Sequence, residues 1–284
     1  MKSFISILIF LVVQTLTGFS QNSHQMFVFD EVSRKGIPYA TIKILNKPEG
    51  TYADSLGRFE VKTSANDSLL VTCVGYQSKS AIIQHDTIFL DPVVVILGEV
   101  KVRTKKTKEY SVGLADTKKD GVFYFCGHVN VEYSVMIKIP DSFSDYRIKG
   151  VKFETNHESG ISLVRLHTYS QGKDGKPDKE LLPEDIIINK HIKSNGQIDL
   201  SRLNLVMNDR VLFVGIEDIL SNTKFSPTKG ECIGFGFTLG EKQNLTYSRV
   251  LREPKYYWRL SGSSWLRDTK SGKPANLMVS LIID

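Results

Sequence analysis

This chain of 284 residues has few of the residues and motifs that indicate disulfide bonding, membrane insertion, cofactor binding or catalysis. It has 3 cysteines and 2 tryptophans, and three cysteines are too few for a scaffold held together by disulfides. Beyond the N-terminal segment, no run approaches the roughly 18 apolar residues of a membrane-spanning helix. The sequence has no glycine-rich phosphate loop, no Gly-x-Ser-x-Gly elbow and no paired-cysteine motif. We therefore expect a protein that does not span a membrane and has no cofactor. Catalysis by a triad of distant residues stays open but has no support.

The histidines do not form a zinc-binding pattern. A zinc peptidase needs histidine and glutamate ligands at fixed spacing. None of the 6 histidines has a glutamate three positions later, and His157-Glu158 lacks the second histidine of the zincin motif. Scattered histidines of this kind are typical of a protein surface, so we predict surface residues and no metal site. The residues concerned are His24, His85, His128, His157, His167 and His191.

The N-terminus has the three-part layout of a secretory signal peptide. One lysine supplies positive charge, and residues 4–13 (FISILIFLVV) form an apolar core interrupted by one serine. Gly18 and Ser20 are the small residues before a cleavage site at Gln21. The apolar core is too short to span a bilayer of roughly 30 Å. We predict a signal peptide over residues 1–20 and an exported protein of the periplasm or the outer-membrane surface.

The charge excess is small and largely local. The formal net charge is +6, and five basic residues lie within eight positions. A basic run can contact an anionic surface, but in an exported chain it is more typical of a solvated linker. We predict a basic linker over residues 104–120 and no nucleic acid partner. The basic residues are Lys101, Arg103, Lys105, Lys106 and Lys108.

Residues 25–103 alternate short β-type runs with turn signals at the spacing of a β-sandwich. In residues 39–45, apolar side chains fall on one face of a strand, and Tyr39, Thr41 and Lys43 fall on the other. No segment has a convincing helical period. The pattern predicts an all-β domain.

Four short motifs follow one another in this domain: Pro-Tyr-Ala-Thr from residue 38, Gly-Thr-x-x-Asp-x-x-Gly-x-Phe from residue 50, Gly-Tyr from residue 75 and Glu-Val-x-Val from residue 99. Their order resembles the carboxypeptidase-regulatory-like domain of Bacteroidetes cell-envelope proteins. That resemblance implies a transthyretin-like or immunoglobulin-like sandwich of about seven strands. It also implies that the domain is a non-catalytic companion of some metallocarboxypeptidases, whose zinc-ligand spacing is absent from this sequence.

The motif residues have structural interpretations. Pro38 suits a strand entry, where its missing N–H costs no ladder bond, and Gly57 suits a turn. Phe59 and Tyr76 bring large apolar area to a small core. The full motif set is Pro38, Tyr39, Ala40, Gly50, Asp54, Gly57, Phe59, Gly75 and Tyr76.

The remaining residues, 121–284, keep a β-type pattern punctuated by proline and glycine. About eight strands would close into a jelly-roll-like β-sandwich. The runs lie at residues 129–139, 147–154, 161–169, 186–188, 211–216, 232–239, 256–260 and 276–282.

Two features of this second domain have alternative interpretations. Aromatic residues that suit core packing could instead bind a glycan by ring stacking; they are Tyr256, Tyr257, Trp258 and Trp265. Acidic residues around the GKDGKP loop could hold calcium, but their spacing does not match a calcium loop and nearby lysines oppose it; they are Asp174, Asp178, Glu184 and Asp185.

The three cysteines divide into two kinds. Cys73 lies in an alternating apolar run and is expected in a core. Export permits disulfides, and if Cys126 and Cys232 pair, we expect them to pair with each other within the second domain.

The sequence favours a non-catalytic, envelope-associated binding or structural module that acts through protein contacts, because it combines two sandwiches with no catalytic constellation. One alternative is a glycan-binding protein that uses the aromatic patch. Another is a hydrolase with a dispersed site in the second domain. The expected partner is an envelope protein or a surface polysaccharide.

Overall fold

The computed structural model describes residues 22–64, 67–83, 85–93, 108–125, 131–156, 163–188, 196–219, 233–240, 243–251, 259–260 and 273–284. Within these ranges every regular element is a β-strand except one turn of 3-10 helix, Ser201–Leu203. This confirms the predicted all-β class. In the same part of the chain, no helix has the length and apolar character needed to cross a membrane. The predicted signal peptide lies outside the described residues.

The first domain is a sandwich of two sheets. Its strands are β1 Asn22–Asp30, β2 Thr41–Ile44, β3 Gly50–Tyr52, β4 Arg58–Thr63, β5 Ser68–Thr72, β6 Lys79–Ile82 and β7 Thr87–Leu90. One sheet has the order β4-β1-β7 and the other β3-β2-β5-β6. The β1 and β7 strands run parallel, whereas neighbouring strands of the second sheet are antiparallel.

Alternation along the strands builds the core of this domain. In β4, Phe59 and Val61 are buried, while their neighbours along the strand are exposed. They pack with residues such as Val28, Ile42 and Leu69 in one apolar cluster. Because successive strand side chains point to opposite faces, this period of two assigns one face of each sheet to the core.

The second sandwich contains the other described strands. They are β8 Tyr110–Gly113, β9 Gly121–Phe125, β10 Val131–Lys138, β11 Tyr146–Phe153, β12 Thr155–Asn156, β13 Val164–Gln171, β14 Pro177–Glu180, β15 Ile186–Ile188, β16 Gly196–Asp199, β17 Leu205–Met207, β18 Val211–Asp218, β19 Ile233–Thr238, β20 Thr246–Val250, β21 Arg259–Leu260, β22 Asn276–Leu277 and β23 Val279–Ile283. A seven-stranded sheet has the order β14-β13-β18-β10-β20-β21, with β15 also paired to β13. A five-stranded sheet (β16-β11-β23-β8, with β17 on β11) and a four-stranded sheet (β12-β19-β22, with β9 on β19) complete the fold.

The core of the second sandwich lies between the seven-stranded sheet and the other two sheets. Val135, Leu166 and Val214 of the seven-stranded sheet pack with residues such as Val151 and Leu281 of the five-stranded sheet. Phe153 and Phe235 meet edge to face, with ring centroids 5.8 Å apart. Since buried aromatic pairs favour this arrangement, the contact ties the two smaller sheets together.

The structure differs from the sequence prediction at the start of this sandwich. Tyr110–Gly113, within the predicted linker over residues 104–120, forms strand β8. The strand pairs with β23, and Val112 lies opposite Leu281. Its own residues are mostly exposed, so it lacks the buried alternation that marks a strand in sequence. The backbone ladder to β23 makes it a strand.

Candidate functional site

The outer face of the seven-stranded sheet carries buried charges instead of a solvent-facing polar surface. Strand β13 places Arg165, His167 and Tyr169 at alternate positions, and all three are buried. Strand β18 places Glu217 opposite Arg165. Burying a charge without a partner costs free energy, so each charge here requires a specific partner. These partners come from both sandwiches.

Arg165 is the hub of this polar cluster. Its side chain is 1% exposed. It forms a fork with Asp185, in which Nε lies 2.8 Å from Oδ1 and Nη2 lies 3.2 Å from Oδ2. Nη1 donates to Glu217 Oε2 at 2.7 Å and to Thr41 Oγ1 at 3.1 Å. Nη2 also donates to the backbone carbonyl of Tyr39. Two of these five hydrogen bonds therefore reach the first domain.

Glu217 receives donors from three directions. Its Oε2 accepts from Arg165 and lies 3.2 Å from His167 Nε2. Its Oε1 accepts from Tyr52 Oη of the first domain at 3.1 Å, and Thr41 Oγ1 lies 3.5 Å away. A carboxylate with donors on both oxygens keeps its charge even when it is buried.

His167 bridges two carboxylates. Its Nδ1 lies 2.6 Å from Glu180 Oε2, and its Nε2 faces Glu217. Its ring stacks on Tyr169 with centroids 5.3 Å apart. The other oxygen of Glu180 accepts from the backbone N–H of Thr168 at 3.0 Å. The cluster therefore fixes the imidazole on both nitrogens, contrary to our expectation of a surface histidine.

A second charge pair continues the cluster along the sheet. Tyr169 Oη donates to Glu132 Oε1 at 2.7 Å, and Arg249 Nε donates to Glu132 Oε2 at 2.7 Å. Glu132 lies opposite Glu217 on the neighbouring strand. Like charges at opposed positions repel each other, and the cations on either side compensate that repulsion.

Gly215 makes room for this arrangement. A Cβ at this position would lie 2.7 Å from Glu132 Oε1 and 3.0 Å from His167 Cβ. The glycine thus lets side chains from β10 and β13 approach one another across β18. Close approach of this kind is a recurrent role of glycine inside a strand.

The electrostatics follow from these contacts. Burial disfavours the charged form of His167, but Glu132, Glu180 and Glu217 outweigh it and raise the pKa of His167 to about 10. Burial works against Glu217 as well, yet Arg165 and His167 hold the pKa of Glu217 well below its usual range. Both residues are consequently charged at neutral pH.

Apolar contacts also join the two sandwiches. Tyr52 of β3 packs with Ile219 and Leu251 of the second sandwich in one buried cluster. A Cβ on Gly50 would lie 2.7 Å from Leu251 Cγ, and a Cβ on Gly75 would lie 2.9 Å from the carbonyl oxygen of Pro183. Two glycines of the sequence motif therefore lie at close contacts between the two domains.

A cleft of about 1080 Å³ opens beside the polar cluster and is bordered by both sandwiches. Its floor contains Arg165, His167 and Glu217. Its apolar lining residues are Leu70, Val74, Val93, Leu181, Leu182, Leu205, Val206 and Met207. The volume is in the range of cavities that hold a small ligand or a short segment of chain.

The donor set of the cleft does not suggest a metal centre. Among the described residues, no group of histidine, cysteine and acidic side chains is arranged to hold a metal ion. Asp185, one of the acidic residues considered for calcium, is held by Arg165. Cys73 is a free, buried thiol, with Sγ 3.7 Å from Asp185 Oδ2. Burial raises the pKa of Cys73 to about 12, so the thiolate is not populated at neutral pH.

The sequence motif of the first domain is distributed between its core and its contact with the second. Ala40 and Phe59 are buried in the domain core. Asp54 Oδ1 accepts from the backbone N–H groups of Leu56 and Arg58, at 2.8 and 2.9 Å.

The other motif residues occupy turns and the contact with the second domain. Gly57 has a φ of 80° in the turn that Asp54 starts, and Tyr76 donates to Asp30 Oδ2 at 3.0 Å. Pro38 is exposed, and Tyr39, Gly50 and Gly75 meet the second sandwich.

Other predicted positions fall outside the described residues. These are the aromatic patch Tyr256, Tyr257, Trp258 and Trp265, and the pair Cys126 and Cys232. The glycan and disulfide interpretations therefore stay predictions.

Sequence reasoning missed the polar cluster. Its signal is present in residues 163–169 (LVRLHTY), where an arginine, a histidine and a tyrosine alternate with apolar residues. Alternation of this kind is typical of a strand with one solvent-facing side. Only the position of the first domain over that face, and the carboxylates of β10, β14 and β18, make it a buried site.

Comparison with known proteins identifies the first domain. The family described as CarboxypepD_reg-like domain matches residues 27–100, and no curated protein matches the chain.

Two solved structures resemble the chain at low identity. The cysteine protease and lectin-like domains of Cwp84, a surface layer associated protein of Clostridium difficile, are 13% identical, with a TM-score of 0.41 over 87% of this chain and 59% of that one. A putative carbohydrate binding protein from Bacteroides uniformis ATCC 8492 is 10% identical, with a TM-score of 0.24 over 93% of this chain and 99% of that one. Both scores are too low to carry an argument.

The family match covers strands β2 to β7, the second half of β1, the first three motifs and the start of the fourth. Residues 27–100 of this chain are therefore a carboxypeptidase-regulatory-like domain.

Proposed function

We propose that the protein is a non-catalytic binding module that acts through protein contacts, and that the cleft between the sandwiches is its contact site. The observation that carries this proposal is that each charged side chain of the polar cluster is already engaged by another group of the protein. Such a cluster holds a structure together, whereas a catalytic group must be able to exchange a proton or attack a substrate.

The protonation states support this assignment. A general acid or base works best when its pKa lies near the working pH. The pKa of His167 is raised to about 10, and the pKa of Glu217 is lowered, so neither changes its charge near neutrality. The pKa of Cys73 is raised to about 12, which disfavours a nucleophilic role. A dispersed hydrolase site therefore finds no support in this cluster.

The lining of the cleft favours a polypeptide as the bound partner. Val206 and Val93 are 57% and 42% exposed at the cleft. Val206 lies in β17, which pairs with β11; among the described residues, no strand pairs with its other edge. An open edge beside apolar side chains can accept an extended peptide by strand addition.

The glycan alternative depends on the aromatic patch. It requires Trp258 or Trp265 to be exposed, and a polysaccharide pull-down with Trp258→Ala and Trp265→Ala variants tests it. Retained polysaccharide that both variants lose would support glycan binding in place of protein contacts.

The proposed location is the periplasm or the outer-membrane surface, after export through the N-terminal signal. Fractionation of cells that make a C-terminally tagged chain tests it, with N-terminal sequencing of the mature protein. A tagged protein that stays in the cytoplasm with its first 20 residues intact would contradict export.

Crosslinking in envelope fractions tests the proposed contact. The informative variant is Val206→Asp, which puts a charge on an exposed position of the cleft wall. The matched control is Leu56→Asp, since Leu56 is 70% exposed in a turn of the first domain that does not line the cleft. We expect a crosslinked partner that Val206→Asp loses and Leu56→Asp keeps. If both variants keep the crosslinked partner, the contact lies elsewhere on the protein. If the wild type itself has no crosslinked partner, the result argues against the proposed function.

A further inference from the structure

Three described residues of the first domain contact the polar cluster through uncharged groups. Thr41 Oγ1 and the carbonyl oxygen of Tyr39 accept from Arg165, and Tyr52 Oη donates to Glu217. All the charges of the cluster belong to the second sandwich: the carboxylates of Glu132, Glu180, Asp185 and Glu217, and the cations Arg165, His167 and Arg249. The first domain thus packs against a charged surface whose ion pairs form within the second sandwich.

We propose that the face of the carboxypeptidase-regulatory-like domain formed by β2, β3 and residues 74–76 is a docking surface for the charged sheet of the second sandwich, with Arg165 and Glu217 as its lock. The first domain is then one wall of the cleft, fixed in place, and not an independently attached module. This inference shares the cleft with the proposed function, but its test requires no ligand.

The contacts of Arg165 and Glu217 fix how the two domains are positioned relative to each other, and do not only hold them close. The apolar contact of Tyr52 with Ile219 and Leu251 is non-directional and would tolerate sliding. The hydrogen bonds from Arg165 to Thr41 and to the Tyr39 carbonyl are directional and permit one register.

The close approaches at Gly50 and Gly75 leave no room for a side chain at either end of the contact. A residue there other than glycine would push the sheets apart. The glycines that the sequence motif contains therefore also serve the docking of the two domains.

The stability of the docked state should depend on pH, because charged side chains from several strands face one another in the polar cluster. Glu217 on β18 faces Arg165 and His167 on β13, Glu132 on β10 faces Arg249 on β20, and Glu180 and Asp185 approach from β14 and the turn that follows it.

The direction of this dependence follows from Glu217. The cations that lower its pKa, Arg165 and His167, belong to its own sheet, and docking adds the hydroxyl of Tyr52 as a further donor. Because a donor favours the charged form of a carboxylate, docking should lose stability when falling pH protonates Glu217. Acid should release the first domain from the charged sheet.

Cys73 reports on docking. Its thiol is buried in the first domain, and Sγ lies against Asp185 of the second sandwich. We suggest labelling the full, folded chain with N-ethylmaleimide at pH 7 and quantifying the Cys73 peptide by mass spectrometry. Arg165→Met should accelerate labelling of Cys73 by at least about tenfold, because undocking opens the thiol to solvent.

Arg147→Met is the matched control. Arg147 forms a fork with Asp284, at 2.9 and 3.0 Å, within the second sandwich, so its loss should leave the Cys73 rate at the wild-type value. Arg165→Lys should restore part of the protection, since a lysine keeps the charge but cannot reproduce the fork.

The pH profile separates a lock from general destabilisation. As the pH is lowered from 7, the Cys73 rate, divided by that of the unfolded chain at the same pH, should rise in the wild type where Glu217 becomes protonated and change little in Arg165→Met. If Arg165→Met fails to fold by circular dichroism, Tyr52→Phe replaces it, with an expected increase of about thirtyfold. A folded variant that is labelled at the wild-type rate, or a wild-type ratio independent of pH, would overturn the proposal.

Discussion

Tyr52 Oη lies 3.1 Å from Glu217 Oε1, so a tyrosine of the first sandwich donates to a buried carboxylate of the second. The two residues are 165 positions apart, and both are almost fully buried. The contact joins a structural motif of a small domain to the charged sheet of its neighbour. It makes the stability of each sandwich depend on the other.

Removal of this hydroxyl should destabilise the whole chain. Tyr52→Phe leaves Glu217 with one donor fewer in a buried setting, and a hydrogen bond to a charged group is worth about 2 kcal/mol. Urea denaturation should show a free energy of unfolding lower by that amount. Tyr110→Phe is the control, because Tyr110 is 42% exposed, and it should stay within about 0.5 kcal/mol of the wild type. Equal stability of both variants would mean that the Tyr52 contact is energetically neutral.

The His167 contacts predict an alkaline loss of stability. The pKa of His167 is raised from 6.5 to about 10 in the folded chain. A raised pKa gives stability that is fully present below pH 6.5 and is lost as the pH rises towards 10. The midpoint temperature of the wild type should therefore fall between pH 6.5 and pH 9, measured by differential scanning fluorimetry.

His167→Gln should remove most of this slope and lower the midpoint temperature most at pH 6.5. His85→Gln provides the comparison, since His85 is exposed and its variant should keep the wild-type slope. A slope that survives in His167→Gln would assign the alkaline loss to other groups.

A methyl group at Gly215 should disturb the cluster. The Cβ of Gly215→Ala would lie 2.7 Å from Glu132 Oε1 and 3.0 Å from His167 Cβ, and overpacking of this kind costs about 1–3 kcal/mol. Chemical denaturation measures the loss. A cost below about 0.5 kcal/mol would indicate that the strands around Gly215 move apart easily.

The strand register supports a specific disulfide prediction. Phe125 of β9 lies opposite Ile233 of β19 in an antiparallel pair. In the sequence, Cys126 directly follows Phe125 and Cys232 directly precedes Ile233, so we expect these two cysteines to pair with each other in an exported chain. Three cysteines minus the two in a bridge leave one free thiol. Thiol titration of the unfolded, non-reduced protein exported to an oxidising compartment should therefore give one, and a count of three would refute the bridge.

Most of the fold could be predicted from the sequence where strands alternate regularly. Strand β15 has its predicted bounds, residues 186–188, and β18 begins at Val211, the first residue of its predicted run. Short edge strands such as β8 and β17 were not predicted, because a few exposed residues carry no period and acquire their backbone partners only in the folded chain.

The candidate site could not be predicted in the same way. Each of its members has an ordinary local interpretation: Arg165 and His167 as the polar face of a strand, Glu217 as a strand end, and Gly215 as a weak point in a sheet. Their meeting depends on pairing between β10, β13 and β18, which are distant in sequence.

By itself, the sequence determined the all-β class and the carboxypeptidase-regulatory-like identity of the first domain. Both rest on local chemistry: the period of two along a strand and the residues that particular turns accept. Only the tertiary structure decided that the first domain covers a charged sheet and buries Arg165, His167 and Glu217. Burial and pairing of charges depend on which surfaces meet, and that is settled by the packing of the whole chain.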